Sequence, residues 1–333
     1  MTRDKRYMHR CLEIGTLALG TARPNPNVGC VIVHENKIIG EGYTSPYGGP
    51  HAEVNAIASV KDKSLLRQST LYVSLEPCSH HGKTPPCANH IIESGIRQVI
   101  IGCIDPNPDV SGQGIAILEQ AGCHVETGIL DLECRHHHRR FICFHEKQRP
   151  YIILKWAQSR DGILAPDSRN KIGPVWISNR RSRQLVHKWR SEEQAILVGF
   201  NTVKHDNPGL NTRNWSGNDP IKVVIDQYNG LGKDYNIFKG KAPIVLSEDH
   251  IDFSANIASQ IGEHLYKLGI NSVIIEGGAK TLGYFIDLNF WDEARVFTGQ
   301  VELEDGMPAP KLNADPFEQM TIDGDILKIY QNA

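Results

Sequence analysis

The chain has 333 residues, with 36 Lys and Arg against 38 Asp and Glu and a formal net charge of −2. Residues 1–147 carry 15 basic and 15 acidic side chains and residues 148–333 carry 21 and 23, so neither half offers the cationic footprint that a nucleic-acid partner needs. Hydrophobic residues at 40% and charged residues at 22% suit a globular chain of two ordinary domains, no apolar run approaches the ~20 residues of a membrane span, and Met1-Thr2-Arg3-Asp4-Lys5 lacks the core of a signal peptide, so the cytoplasm is the expected location.

In chain order, helical spacing covers residues 5–20, with Asp4 as the expected N-cap. Pro24-Asn25-Pro26-Asn27 breaks it. Val28–His34 and Lys37–Tyr43 read as strands joined by a tight turn at Glu35-Asn36. Helical spacing returns from His51 to Val60. Then come a strand at Leu71–Leu75, a helix at Pro86–Ser94, a strand at Val99–Asp105, a helix at Gly114–Ala121 and a strand at His124–Gly128. Strands alternating with helices predict a layered α/β domain with a largely parallel part. Asp131–Phe144 reads as one closing helix, with His136-His137-His138-Arg139-Arg140 on a solvated face. The domain boundary falls near Lys147-Gln148-Arg149-Pro150, giving domains 1–147 and 148–333. In the second, Tyr151–Trp156, Ala195–Gly199, Ile221–Asp226, Ile244–Ser247, Val273–Glu276 and Ala294–Thr298 are strand candidates. Asn179–Trp189, Ser254–Leu268 and Leu282–Leu288 are helix candidates.

All eight cysteines fall at or before Cys143. Cys11, Cys30, Cys103, Cys123, Cys134 and Cys143 lie in or beside apolar stretches and read as buried free thiols. The other two belong to a pattern: His51-Ala52-Glu53, then Glu76-Pro77-Cys78, then Pro85-Pro86-Cys87. One imidazole and two thiolates make a zinc site with an open fourth position, and S/S/N ligation favours zinc over other divalent ions. Zinc so held lowers the pKa of a water from ~16 to roughly 7, and Glu53, not a ligand, is placed to shuttle protons. That is the arrangement of nucleobase deaminases. A structural site would want a fourth protein ligand, which His80 or His81 can supply. The generic pattern spaces its cysteines as C-x-x-C; here eight residues intervene, Ser79 to Pro86. His51 and Cys87 both open helices, where the helix dipole favours anions.

The first half, roughly residues 5–145, resembles the riboflavin-biosynthesis deaminases. The likeness rests on Pro24-Asn25-Pro26-Asn27-Val28-Gly29, His51-Ala52-Glu53, Leu75–Cys87 with its long insert, and Asp105-Pro106-Asn107-Pro108. The second half is similar to the reductase usually fused to that deaminase in bacteria. Lys155, Ser159, Asp161 and Gly162, then Trp176-Ile177-Ser178, His187-Lys188-Trp189-Arg190, Ala195–Gly199, Thr202-Val203, Asp206-Asn207-Pro208, Leu210–Arg213 and Glu276-Gly277-Gly278 occur in its order. The resemblance implies a cytidine-deaminase-like three-layer domain followed by a dihydrofolate-reductase-like domain. It implies one Zn2+ at His51, Cys78 and Cys87, Glu53 as the catalytic residue, and contacts from Asn25, His80, Lys83, Asp105 and Asn107 to a phosphorylated pyrimidine. In the reductase it implies NADPH at Gln158, Trp176, Thr202, Asp206 and Gly277-Gly278-Ala279-Lys280-Thr281-Leu282, and the substrate at Arg190, Leu210, Arg213 and Glu276. Two arginines there can clamp a phosphate. A homo-oligomer, dimer or tetramer, is the expected assembly, with no nucleic acid and no membrane.

Two positions depart from the pattern. Pro174 stands where many relatives have a serine, and Arg160 where an aliphatic residue is common. Two rivals stay open on the residues alone: a deaminase of another nucleobase, and a second domain that only binds ligand or builds the oligomer.

Overall fold

The structure, a computed structural model, describes residues 2–79, 86–108, 110–167 and 172–332. They form two compact units, Met1–Gln148 and Arg149–Ala333.

The first unit runs α1 (Arg3–Gly15), β1 (Gly29–His34), β2 (Lys37–Tyr43), α2 (Ala52–Ser59), β3 (Thr70–Leu75), α3 (Cys87–Ser94), β4 (Gln98–Cys103), α4 (Gln113–Gln120), β5 (His124–Thr127), α5 (Asp131–His137) and α6 (Arg139–Lys147). The sheet order is β2-β1-β3-β4-β5. The β1 pairings are antiparallel, while β3, β4 and β5 are parallel. Glu35 and Asn36 take φ of 45° and 63°, the left-handed turn that joins twisted hairpin strands.

Glycines on adjacent strand positions let helices approach both faces. A Cβ on Gly29 would lie 1.9 Å from the Cys11 carbonyl oxygen of α1, and one on Gly42 would lie 2.3 Å from the Ala56 nitrogen of α2. Gly42 is the register partner of Cys30, so the two glycines face opposite sides. The result is three layers, with Leu71, Val73, Val99 and Ile101 fully buried between them. Such strands, covered on both faces, read as near-continuous apolar runs. The C-terminal ends of β3 and β4 and the N-termini of α2 and α3 then meet at one edge. Open α/β sheets bind ligands in that place.

Four expectations need correction. Thr2, not Asp4, is the N-cap of α1, accepting from the Lys5 amide. The Asp4 carboxylate instead accepts the Tyr72 hydroxyl at 2.6 Å and ties α1 to β3. The helix ends at Gly15, and only a 3-10 turn at Thr16–Ala18 follows. The closing helix is two helices, because the chain breaks at His138 to bury that ring (1% exposed) against the Ser74 hydroxyl. Of the histidine run only His136 is exposed. The six structural cysteines are buried free thiols.

The second unit runs β6 (Tyr151–Gln158), β7 (Ile163–Ala165), α7 (Arg180–Glu192), β8 (Ala195–Gly199), α8 (Phe200–Asp206), β9 (Ile221–Ile225), β10 (Ile244–Leu246), α9 (Ile257–Lys267), β11 (Ser272–Ile275), α10 (Ala279–Ile286), β12 (Glu293–Thr298), β13 (Met307–Pro308), β14 (Glu318–Ile322) and β15 (Asp325–Gln331). Its main sheet has the order β10-β9-β8-β11-β6-β12-β15-β14. It is parallel from β10 to β12 and antiparallel at β15 and β14. Ile152, Leu154, Leu197, Val223 and Ile275 are fully buried on these strands. The hydrophobic runs marked the parallel strands. β7, β13, β14 and β15 escaped because they are short or half exposed, and α8 read as a loop. Among the described residues no helix is long and apolar enough to cross a membrane.

Candidate active sites

In the first unit, His51 is the N-cap of α2, Cys87 is the first residue of α3, and Cys78 follows β3. Their ligand atoms lie within 4.8 Å of one another. His51 Nδ1 faces both sulfurs, 3.6 Å from Cys78 Sγ and 3.3 Å from Cys87 Sγ. A tetrahedral ion with Zn–S of ~2.3 Å and Zn–N of ~2.0 Å requires an N···S separation of roughly 3.5 Å, so the donor set fits zinc. The backbone amide of Cys87 donates to Cys78 Sγ at 3.3 Å. The Cys87 thiol and then His51 hold Cys78 down to about 4, against burial. The Cys78 sulfur in turn pushes the His51 pKa up.

Glu53 sits in the first turn of α2, 4% exposed. Burial, then the Cys78 charge, pushes its carboxyl up to about 7, the range in which a group both gives and takes protons. His51, Glu53 and Cys78 line a cavity of 410 Å³ together with Asn25, Asp105 and Asn107. The structure thus brings seven of the nine expected deaminase residues together. His80 and Lys83 lie outside the described residues.

Sequence reasoning missed the residue that joins this edge. Glu76 is 4% exposed. Its Oε2 accepts from the Asp105 and Gly112 amides at 3.2 and 3.0 Å, and its Oε1 from Gly114 and Ile115 at 3.0 and 3.3 Å. One carboxylate, two residues before Cys78, therefore caps α4 and holds the Asp105 amide, and Asp105 Oδ1 in turn accepts the Asn107 amide at 2.8 Å. A glutamate at the end of an apolar strand run, directly before Pro77-Cys78, was the available signal.

In the second unit a cavity of 610 Å³ is lined by Lys155, Trp156, Pro174, Trp176, His187, Arg190, Thr202, Asp206, Leu210, Arg213, Glu276, Gly277 and Gly278, among others. Glu276 follows β11. Its carboxylate takes Arg190 in a two-pronged contact at 2.9 and 2.7 Å and has Lys155 at 3.7 Å. Burial opposes its charge, yet Arg190 and Lys155 hold it down to about 2. Arg190 also reaches the Asn211 carbonyl. Its fork is thus already engaged, and the expected two-arginine clamp reduces to Arg213, which donates to Asn211 Oδ1 at 3.0 Å and is exposed.

The glycine turn ends at Gly278, the N-cap of α10, whose amide donates to Thr202 Oγ1 at 3.2 Å. Ala279, Lys280 and Thr281 follow at the first helical positions, where amides have no intrahelical partner and suit a cofactor phosphate. Leu282 does not share that role. Its amide bonds Gly278 and its side chain is fully buried in the core. Gln158 is not on the cavity wall; it accepts the Trp156 indole N–H at 3.0 Å. Trp176 is 54% exposed, with the Arg183 guanidinium 4.4 Å from its ring centre, so it is cavity wall rather than core. Arg160 points to solvent and pairs with Glu302. Asp161 accepts from the Leu303 and Glu304 amides, a loop-to-loop tie.

Comparison with known proteins now adds the family. The region 1–103 matches the cytidine and deoxycytidylate deaminase zinc-binding region, and 150–301 matches the RibD C-terminal domain. The Aquifex aeolicus riboflavin biosynthesis protein RibD is 34% identical, with 95% of this chain and 92% of that protein covered. The Escherichia coli RibD is 35% identical over 88% and 87%. A Thermotoga maritima crystal structure, described as a diaminohydroxyphosphoribosylaminopyrimidine deaminase/5-amino-6-(5-phosphoribosylamino)uracil reductase, is 35% identical with a TM-score of 0.89 over 99% of both chains. The two units accordingly have the cytidine-deaminase-like and dihydrofolate-reductase-like folds.

Proposed function

The chain belongs to the RibD family of riboflavin-biosynthesis proteins, and we propose that its two sites run the family's successive reactions with the side chains described above. It is a bifunctional enzyme with a zinc-dependent deaminase domain and a reductase domain that uses a nicotinamide cofactor. We assign the domains to residues 1–147 and 148–333. The substrate is 2,5-diamino-6-ribosylamino-4(3H)-pyrimidinone 5′-phosphate, and the final product is 5-amino-6-(5-phosphoribitylamino)uracil.

The observation that carries this reading is the group of three donors within 4.8 Å beside a carboxyl buried to 4% exposure. His51, Cys78 and Cys87 would hold the zinc, which supplies a water acidified enough to attack at neutral pH. Glu53 takes a proton from the attacking water and delivers it to the ring nitrogen. It then takes the remaining hydroxyl proton and passes it to the departing amino group as the C–N bond breaks, so that C–NH2 and water become C=O and ammonia. Asn25, Asp105 and Asn107 orient the base, with His80 and Lys83 proposed for the sugar phosphate.

In the second domain Arg213 binds the phosphate and Glu276, set by Arg190 and Lys155, meets the ribosyl group beside Leu210. Thr202, Asp206, Trp176, Gly277, Gly278 and the first amides of α10 position the cofactor. Bound NADPH supplies a hydride to C1′ of the ribosyl group. We choose NADPH over NADH because Thr202 and Asp206 resemble NADP-contacting positions. The test is a two-step assay with metal analysis. Ammonia release from the diaminopyrimidinone at about one zinc per chain, followed by NADPH consumption on the deaminated product, is expected. Ammonia release only from cytidine or a purine would refute the deaminase assignment, and no NADPH consumption would refute the reductase.

A further inference from the structure

The histidine run at 136–138 has no part in the chemistry above, yet two of its three rings point inward. His137 Nε2 lies 2.8 Å from both the side-chain nitrogen and the backbone carbonyl oxygen of Asn27. His138 Nε2 lies 3.1 Å from Ser74 Oγ, which accepts the Gly29 amide at 3.2 Å. Four residues past His137, Phe141 lines the deaminase cavity itself. The α5–α6 corner is therefore one wall of that site.

We infer that His137 is a positioning residue of the deaminase, holding the 24–28 loop at Asn27 so that Asn25 faces the pyrimidine. The inference rests on the reading of Asn25 as a substrate contact. The loop is short and stiff: Pro24 and Pro26 lock the rotations either side of Asn25. The Asn25 amide donates to the Ala22 carbonyl at 3.0 Å and fixes one side of that residue. On the other side Thr44 Oγ1 ties the two neighbours of Asn27, donating to the Pro26 carbonyl at 3.0 Å and accepting from the Val28 amide at 3.0 Å. His137 adds the anchor at Asn27 itself. The anchor is tightly enclosed. A Cβ on Gly15 would lie 2.7 Å from the Asn27 carbonyl oxygen and 2.8 Å from His137 Nε2. The ring is buried, which pushes its pKa down to about 4, so it serves as a neutral hydrogen-bonding group.

The experiment is a double-mutant cycle on the full chain, with KM, kcat and zinc content read separately. Asn25→Ala is expected to raise the deaminase KM. His137→Ala is expected to raise it roughly five- to tenfold, the loss of one hydrogen bond, at unchanged kcat and zinc content. The double variant is expected to match Asn25→Ala alone, because both act through one contact. His137→Gln, which keeps a group able to reach Asn27, should recover most of the loss. Should His137→Ala not fold, His137→Phe keeps the bulk of the ring, removes its hydrogen bond to Asn27 and should give the same KM rise. A raised KM in Asn25→Ala with a wild-type KM in the folded His137→Ala or His137→Phe variant overturns the inference alone. So do effects that multiply in the double variant. A wild-type KM in Asn25→Ala overturns the substrate reading of Asn25 and the inference with it.

Discussion

The two cavities handle charge in opposite ways. In the first, His51, Cys78 and Cys87 turn lone pairs toward a common point while Glu53 stands by with its proton affinity raised. In the second, the single Glu276 carboxylate stands between two cations, Lys155 and Arg190, and is held far into its ionised state. The first arrangement is made to exchange protons and hold a cation. The second is made to present fixed charges to a molecule whose partner brings the hydride. A metal-assisted hydrolysis needs particular atoms a few ångströms apart, whereas a hydride transfer needs a surface that orients two bound molecules.

If that contrast is right, the largest effects come from the proton-exchanging group. Glu53→Gln should lower ammonia release by roughly 10²–10⁴-fold while zinc stays near one per chain and the reductase, assayed on the deaminated product, keeps its rate. Retained deamination would remove the contrast altogether.

Glu276→Gln probes the other side. It leaves Lys155 and Arg190 as buried cations without their counter-charge, a loss on the order of 3–5 kcal/mol. Reductase activity and the melting temperature of the second domain should both fall, with deaminase kinetics unchanged. The pH dependence sharpens this. The Glu276 carboxyl is held at about 2, below its ordinary 4.5. Its stabilising contribution is therefore complete above 4.5 and lost as pH falls toward 2. The melting-temperature gap between wild type and Glu276→Gln should be flat above 4.5 and narrow below it. A gap that widens in acid would show that the carboxylate is not held by its cations.

A smaller effect is expected at Arg213. Arg190 cannot replace it, because its fork is bound to Glu276. Arg213→Ala should raise the reductase KM by roughly 10–100-fold, the loss of a charge-assisted contact. A wild-type KM would mean that the phosphate sits elsewhere. The smallest effect is expected at Arg160, whose contact with Glu302 joins side chains that are 68% and 52% exposed. Arg160→Leu restores the common residue and should change stability by less than about 0.5 kcal/mol, with reductase kinetics intact.

What could be read from the residues follows the same division. His51, Glu53, Cys78 and Cys87 were legible because ligand chemistry admits few residue types and the fold places them at helix starts and strand ends. The parallel strands were legible from their apolar runs. Less local arrangements were not. Nothing near Arg190 in the chain says that Glu276, 86 residues on, occupies it. Leu282 looked like part of a phosphate-binding turn, but helical geometry had already used its amide. The histidine run looked solvated because it is polar and lies among arginines. Its burial depends on Ser74 and Asn27, which lie 64 and 110 residues away. β14 and β15 carry too many half-exposed positions to stand out.

Glu76 has a practical consequence for altering what the deaminase accepts. All four of its partners are main-chain amides, at Asp105, Gly112, Gly114 and Ile115, so what the grip demands is backbone geometry. Gly112 stands at φ 76°, and a Cβ on Gly114 would lie 2.0 Å from the Pro77 carbonyl oxygen. An exchange of this stretch between relatives must therefore keep both glycines and the spacing of the amides at 112, 114 and 115, while Val110 can vary. A one-residue insertion would instead uncouple the stretch from the neighbouring Pro77-Cys78 turn and disturb metal retention before it changed substrate choice.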